Sequence, residues 1–152
     1  MEDDDFDPTQ KEKVEAGSLK KGDYVMLGDK PCKITGISHA KPGKHGSAKA
    51  IIKGQNLFDG KTVEKTYGTG DQVDAPIIKR QEYLLLNIDE DGQLSLLDDD
   101  GEQKDDVTLP EKMHQDARKL IEEMFAEDKQ VLVQVTTILG TEIVTAGREE
   151  KE

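Results

Sequence analysis

The sequence predicts a mostly β protein made of two small barrels, with a single helix in the second. Short β-forming runs recur along the chain and are separated by turn dipeptides such as Asp59-Gly60, Asp91-Gly92 and Asp100-Gly101. Hydrophobic residues make up 34% of the chain, aromatic residues make up 4%, and tryptophan is absent. Two small barrels are easier to build from this composition than one large core.

Charge and cysteine content are typical of a soluble protein of a reducing compartment, and we expect it to be cytoplasmic. The 152 residues carry a formal net charge of -12. No apolar run approaches the length of a membrane span, and the acidic N-terminus does not have the pattern of a signal peptide. Cys32 is the only cysteine, so no intrachain disulfide can form, and we expect it to fill one face of a strand.

Residues 1–15 are expected to form a disordered acidic tail, because they hold seven acids, two lysines and one aromatic residue. Residues 16–82 are predicted to form the first barrel. Five β-forming runs follow one another there and are separated by glycine-rich turns: 24–27, 32–38, 48–53, 61–67 and 72–75.

A change in charge marks the predicted domain boundary, around residues 79–82. Residues 16–82 carry 12 bases and 7 acids, whereas residues 83–152 carry 7 bases and 19 acids. The charged run Lys79-Arg80-Gln81-Glu82 also separates two β-forming regions. We therefore expect 83–152 to fold as a second domain.

The second domain has the element order βββαββ, which is that of an OB-fold. Its predicted strands are 83–89, 93–97, 104–109, 131–139 and 142–146. Thr108 and Glu111 are predicted to cap the helix, with Pro110 in its first turn. Apolar residues then repeat at helical spacing and are expected to face the core: Met113, Ala117, Leu120, Ile121, Met124 and Phe125.

The most informative stretch is Lys41-Pro42-Gly43-Lys44-His45-Gly46-Ser47-Ala48-Lys49, between two predicted strands of the first barrel. Pro42 and Gly43 suit the two corners of a tight turn, and Gly46 provides a second backbone break. Lys44 and His45 carry the substantial side chains between these breaks. The stretch is therefore predicted to be a hairpin tip that presents a lysine.

The surrounding charge indicates that this hairpin meets a polyanion. From Lys30 to Phe58 the chain has six lysines and no acid, within a strongly acidic protein. A solvated hairpin with lysines for solubility explains the same composition and remains open. The glycine spacing does not match a phosphate-binding P-loop, and no partner residue ties His45 to catalysis.

The run from Pro42 to Lys49 resembles the hypusine-loop signature of eukaryotic translation initiation factor 5A and its archaeal relative. Pro42 and Ser47 stand where animal and fungal members commonly have Thr and His. The resemblance implies that Lys44 is converted to hypusine. Deoxyhypusine synthase would add the aminobutyl group of spermidine, and deoxyhypusine hydroxylase would complete the modification. No cofactor and no metal are implied.

The family resemblance also implies an SH3-like first barrel, an OB-fold second domain, and a non-enzymatic translation factor. Such a factor would bind the large ribosomal subunit beside peptidyl-tRNA and promote peptide-bond formation at stalled sequences such as proline runs, aiding elongation and termination. The residues expected to contact RNA are those of the hairpin and its base: Lys41, Gly43, Lys44, His45, Gly46, Lys49 and Lys53.

The alternative hypothesis is an RNA-binding adaptor of SH3/OB type that needs no modification. An OB-fold is compatible with oligonucleotide binding, but the acidity of residues 83–152 opposes a basic phosphate groove. The acid spacing from Asn87 to Asp98 approaches that of a calcium loop, but the end positions and the flanking strands do not fit. An enzyme is the least supported class, because no catalytic constellation is visible.

Overall fold

The computed structural model describes residues 7–41 and 48–151 and shows a mostly β chain with one α-helix. The chain divides into two compact units, Met1–Ile77 and Ile78–Glu152. The division therefore falls just before the predicted boundary at 79–82. These four residues open the first strand of the second unit, because their backbone pairs with that unit's sheet.

The first unit is an SH3-like arrangement of short antiparallel strands. Four of them form a sheet in the order β2-β3-β4-β5, and β1 pairs with β6. The strands are β1 (Lys11–Glu15), β2 (Tyr24–Leu27), β3 (Lys30–Ala40), β4 (Lys49–Asn56), β5 (Thr62–Gly68) and β6 (Gln72–Pro76). A 3-10 turn at Ala16–Ser18 follows β1. The core is formed by Ala16, Leu19, Val25, Leu27, Cys32, Ile34, Ala50, Ile52 and Val73.

The expectation of a disordered tail is wrong for residues 11–15, which form β1. Val14 lies opposite Val73 in the register with β6 and packs against the core. Lys13 lies opposite Asp74, and its Nζ is 2.7 Å from the Asp74 Oδ1. Pairing with β6 thus holds a segment whose composition is that of a solvated tail. Residues 1–6 lie outside the described residues.

The second unit has the predicted βββαββ order of an OB-fold. Its strands are β7 (Lys79–Ile88), β8 (Gln93–Leu97), β9 (Gln103–Thr108), β10 (Val131–Ile138) and β11 (Thr141–Glu149), with α1 (Gln115–Ala126) between β9 and β10. The sheet order is β11-β10-β7-β8-β9. Its core is a cluster of buried apolar side chains that includes Leu94, Leu96, Ile121, Val133 and Val144.

An ion-pair cluster joins the two outermost strands of this sheet. The Lys104 Nζ on β9 lies 2.8 Å from the Glu142 Oε1 on β11 and 2.8 Å from the Asp106 Oδ1. Burial opposes the charge on Lys104, but these hydrogen bonds outweigh it and raise the lysine pKa. The same ammonium lies 6.0 Å from the centre of the Tyr83 ring. The cluster therefore helps to close the sheet into a barrel.

The helix begins later than the capping prediction placed it. Thr108 ends β9, and α1 begins at Gln115 after an N-cap at His114 that makes no side-chain capping bond. Leu109 is buried, and its N–H donates to the Gly92 carbonyl (2.8 Å), which holds this segment against the β7–β8 turn. The predicted Thr108–Glu111 capping box is thus wrong.

The predicted helical stripe faces the core in part. Ile121 and Met124 are buried and Phe125 packs against the core cluster, whereas Leu120 is 44% exposed. The helix sits close to β11, since a Cβ at Gly147 would overlap the Ile121 side chain. This glycine permits the close approach of α1 to the barrel.

Candidate functional site

The β3–β4 hairpin carries the lysine-bearing motif. The two strands pair in register from Cys32 opposite Asn56 to Ala40 opposite Lys49. The register shifts between Ile34 and Gly36, a bulge at which the Thr35 hydroxyl donates to the Lys53 carbonyl (3.2 Å). Such a bulge increases the local twist and bends the strand.

The two strands of the hairpin differ in burial at the end next to residues 42–47. Ala50 is fully buried and lies one pair from the end of the ladder, whereas Ser38, His39, Ala40 and Lys41 are all exposed. At this end of the ladder β3 is thus solvated, whereas β4 stays packed against the core at Ala50 and paired with β5 as far as Lys49. Residues Pro42, Gly43, Lys44, His45, Gly46 and Ser47, which join the strands, lie outside the described residues. The predicted turn geometry at Pro42-Gly43 and Gly46 falls there too.

The base of β4 is tied to the β5–β6 turn. The Thr69 N–H donates to the Ala48 carbonyl (3.0 Å), and the Gly17 N–H donates to the Thr69 carbonyl (2.8 Å). A Cβ on Gly17 would lie 2.8 Å from that same carbonyl oxygen, so this approach requires a glycine. The 3-10 turn therefore supports the β5–β6 turn, which in turn is hydrogen-bonded to Ala48, the first described residue after 42–47.

Asp71 braces the same turn from within. Its Oδ2 accepts a hydrogen bond from the Gly68 N–H (2.8 Å), and its own N–H donates to the Gly68 carbonyl (3.0 Å). Its carbonyl accepts from the Ala16 N–H (2.9 Å). These bonds fix the turn on the 3-10 segment, so one side of the hairpin base has a continuous backbone support.

The described lysines near the motif, Lys41, Lys49 and Lys53, are all exposed. Lys49 and Lys53 lie on the outward face of β4, about 13 Å apart at the usual strand rise. Lys49 lies opposite Gly68 on β5, whereas Lys53 lies opposite Glu64. A carboxylate therefore lies near both cross-strand positions, because Asp71 accepts a hydrogen bond from the N–H of Gly68.

The other histidines and the cysteine have structural environments. His39 is exposed on β3, and His114 is half-buried where burial lowers its pKa. Cys32 is buried as predicted, and desolvation raises the pKa of its thiol. A raised pKa and burial make a thiol unreactive. Within residues 7–41 and 48–151, no group of three His, Cys, Asp or Glu residues is placed to hold a metal ion.

The acids that resemble a calcium loop serve the turns instead. The Asp89 Oδ1 accepts hydrogen bonds from the Asp91 and Gln93 N–H groups (2.9 and 2.8 Å). The Asp98 Oδ1 does the same for Asp100 and Glu102. Each carboxylate thereby closes its own β turn, with a glycine in positive φ at Gly92 and at Gly101. None of the helices described here is long and apolar enough to cross a membrane.

Comparisons with known proteins match both units. A family model described as "Translation initiation factor 5A-like, N-terminal" matches residues 9–71, and one described as "Eukaryotic elongation factor 5A hypusine, DNA-binding OB fold" matches residues 77–148. Eukaryotic translation initiation factor 5A-2 from Schizosaccharomyces pombe is 40% identical over 136 residues, which cover 90% of this chain and 78% of the relative. The chain belongs to the translation initiation factor 5A family.

Other members of the translation initiation factor 5A family agree in length and fold. Eukaryotic translation initiation factor 5A-1 from Saccharomyces cerevisiae is 36% identical over 90% of this chain and 84% of its own length. The solved structure of a translation initiation factor 5A family protein from Naegleria fowleri has a TM-score of 0.83 and 35% identity, over 91% of this chain and 99% of that one. The solved structure of eukaryotic translation initiation factor 5A from Methanococcus jannaschii has a TM-score of 0.70 and 29% identity, over 91% of this chain and 95% of that one.

These findings confirm the family resemblance, the mostly β fold and the assignment to translation factors. The support of Ala48 by Thr69 and Gly17 is not predicted by the sequence patterns. The signal for it was the short spacing of Gly68, Gly70 and Asp71 after a strand, together with Gly17 after a polar segment. The pairing of these two segments is long-range, so the local pattern alone does not reveal it.

Proposed function

We propose that this chain is a hypusine-bearing translation factor in which Lys44 carries the modification. The observation that supports the proposal is the β3–β4 hairpin, whose paired strands end at Ala40 and Lys49 and whose connecting residues are the Pro42–Ser47 motif. β4 of this ladder is anchored in the core through Ala50 and Ile52. Cytoplasmic localisation and a non-enzymatic role belong to this proposal.

The modification suits the task in physical terms. Hypusine lengthens the lysine side chain and adds a second amine, giving a flexible cation that contacts phosphate and ribose groups where a bulky loop does not fit. Deoxyhypusine synthase, with spermidine as aminobutyl donor, and deoxyhypusine hydroxylase would produce it. The factor needs no covalent chemistry of its own, because orienting peptidyl-tRNA in the large ribosomal subunit lowers the barrier to peptide-bond formation.

The flanking residues supply phosphate contacts in this proposal. Lys41, Lys49 and Lys53 are all exposed, and Lys41 and Lys49 lie on either side of residues 42–47. Gly43 and Gly46 would allow close backbone approach, and His45 would add a donor beside Lys44. The acidic second unit, in which seven bases face 19 acids over residues 83–152, is a poor surface for further phosphate contacts.

A reconstituted synthesis assay on a peptide with consecutive prolines tests the proposal. The modified chain should stimulate synthesis, and the unmodified chain should not. The Lys44→Arg variant, produced together with the modifying enzymes, should also fail to stimulate, because arginine keeps the charge but cannot accept the aminobutyl group. Equal stimulation by Lys44→Arg would support the modification-independent adaptor instead.

The flanking lysines are tested by ribosome binding at two salt concentrations. Lys49→Ala should weaken binding and reduce the slope of log affinity against log salt by about one, as one lost phosphate contact does. Lys119→Ala is the matched control, since Lys119 is exposed on α1 in the other unit. The same loss for both variants would mean that the hairpin charge has no special role.

A further inference from the structure

A row of leucines crosses the outer face of the second unit. Leu84 on β7 lies opposite Leu97 on β8 and opposite Leu132 on β10, so the three are direct neighbours across three strands. Tyr83 and Leu85, the sequence neighbours of Leu84, are buried in the barrel. The three leucines of the row are half-buried on the opposite face. A row of this kind is an apolar strip on a surface that is otherwise charged.

These three leucines are the apolar part of the lining of a groove of about 590 Å³, and the other six lining residues are polar or charged. Its rim carries four carboxylates and one guanidinium: Glu82, Asp98, Asp99, Glu150 and Arg80. Arg148 reaches over from β11 and binds the Glu82 carboxylate through two hydrogen bonds of 2.8 and 2.9 Å. These bonds lower the pKa of Glu82 and so keep it ionised. The positive charge of Arg148 also offsets part of the negative charge of Glu82.

The remaining acids give the groove its negative sign. One carboxylate oxygen of Asp98 accepts hydrogen bonds within its own turn. Asp99 and Glu150 are exposed and form no ion pair within the described part of the chain. The groove therefore combines three leucines with an excess of negative charge.

A nucleic acid does not fit these features. Single-stranded RNA or DNA binds OB-folds through aromatic stacking and cationic grooves, and none of the described residues that line this groove is aromatic. Phosphates would meet carboxylates at the rim, a like-charge contact that opposes binding. The lining of this groove therefore does not suit a nucleic acid.

We propose that this groove binds a basic, leucine-bearing segment of a partner protein. Apolar side chains of the segment cover Leu84, Leu97 and Leu132, while its lysines or arginines face Asp99 and Glu150. The interaction is separate from the Lys44 hairpin and does not depend on the function proposed above. It gives the acidic second unit a role in recruiting a protein.

Titration of the full-length, isotope-labelled chain tests this proposal. The probe is a synthetic 12-residue peptide of alternating leucine and lysine, and the readout is the methyl NMR signals of the leucines together with the dissociation constant. The peptide should shift the Leu84, Leu97 and Leu132 signals selectively. A peptide of alternating serine and lysine, with the same charge, should bind at least tenfold more weakly.

A second test reverses the charge of acids that line the groove. These acids are exposed, so their substitution should leave the fold intact. The double variant Asp99→Lys/Glu150→Lys should weaken binding of the leucine–lysine peptide at least tenfold. Glu90→Lys/Glu123→Lys is the matched control, because it changes the net charge equally at exposed acids away from the groove. It should change the dissociation constant less than twofold.

Three outcomes would overturn the proposal. Equal weakening by both double variants would show a non-specific effect of net charge. Selective leucine shifts on adding a uridine oligonucleotide, without shifts from the peptide, would assign the groove to RNA. Shifts that follow the protein's own concentration would make it a contact between two copies of this chain.

Discussion

Gly17 offers a direct test of how the hairpin base is supported. A Cβ at this position would lie 2.8 Å from the Thr69 carbonyl oxygen and 3.1 Å from the Thr69 Cβ. The first distance is about 0.7 Å shorter than an ordinary contact near 3.5 Å. Gly17→Ala therefore forces the 3-10 turn and the β5–β6 turn apart.

The energetic cost follows from what this separation breaks. Two backbone hydrogen bonds are at risk, from Gly17 to Thr69 and from Thr69 to Ala48, each worth about 1 kcal/mol. Alanine also stiffens the unfolded chain, which returns roughly 0.4–1 kcal/mol. The net loss in free energy of unfolding of the first unit should be about 1–2 kcal/mol.

Urea unfolding followed by amide NMR signals of the first unit measures this loss, and hydrogen exchange at the Thr69 amide measures the local effect. Exchange at Thr69 should become faster in Gly17→Ala. Gly70→Ala is the control in the same turn, since no atom lies within 4 Å of its added Cβ and its φ is outside the left-handed region. If Gly17→Ala leaves both stability and Thr69 exchange unchanged, the support described for Ala48 is wrong.

Three further predictions concern other supports of the two units. Lys104→Met should lower the stability of the second unit by about 1 kcal/mol at pH 7, a value discounted for the exposure of Asp106. The Lys104 hydrogen bond depresses the pKa of the Asp106 carboxyl, so its stabilisation is present above about pH 4 and is lost as pH falls through the folded-state pKa. The difference between Lys104→Met and wild type in urea unfolding should shrink below that pH, and a constant difference would contradict the assignment. Gly147→Ala should lower the thermal midpoint of the second unit, because the new methyl meets buried Ile121; an unchanged midpoint would mean that α1 packs differently. Asp71→Ala should cost about 1 kcal/mol in the first unit through loss of the bond to the Gly68 N–H, with Asp29→Ala in the β2–β3 turn as a control expected to stay within about 0.5 kcal/mol.

Local patterns predicted most of the strands and the OB-fold order. The β4 run, for example, alternates exposed Lys49 and Lys53 with buried Ala50 and Ile52, so its period is visible in the sequence. The motif Pro42–Ser47 was equally local and identified the family without any structure.

Features that depend on pairing between distant segments were not predicted. Lys11–Glu15 is mostly charged, and only its partner strand β6 makes it a strand. The helix start was misplaced because the Leu109 N–H donates a hydrogen bond to the carbonyl of Gly92, 17 residues earlier in the chain. This long-range bond overrides the local capping signal. The proximity of Glu64 to Lys53 and the leucine row at Leu84 follow from strand register, which composition does not specify.

Tandem mass spectrometry of the chain purified from its native cells shows whether Lys44 is the modified residue. Fragments containing Lys44 should carry the added mass of hypusine, and fragments containing Lys41 or Lys49 alone should carry none. A chain that is active in translation with an unmodified Lys44, or with the mass on Lys41 or Lys49, would contradict this assignment.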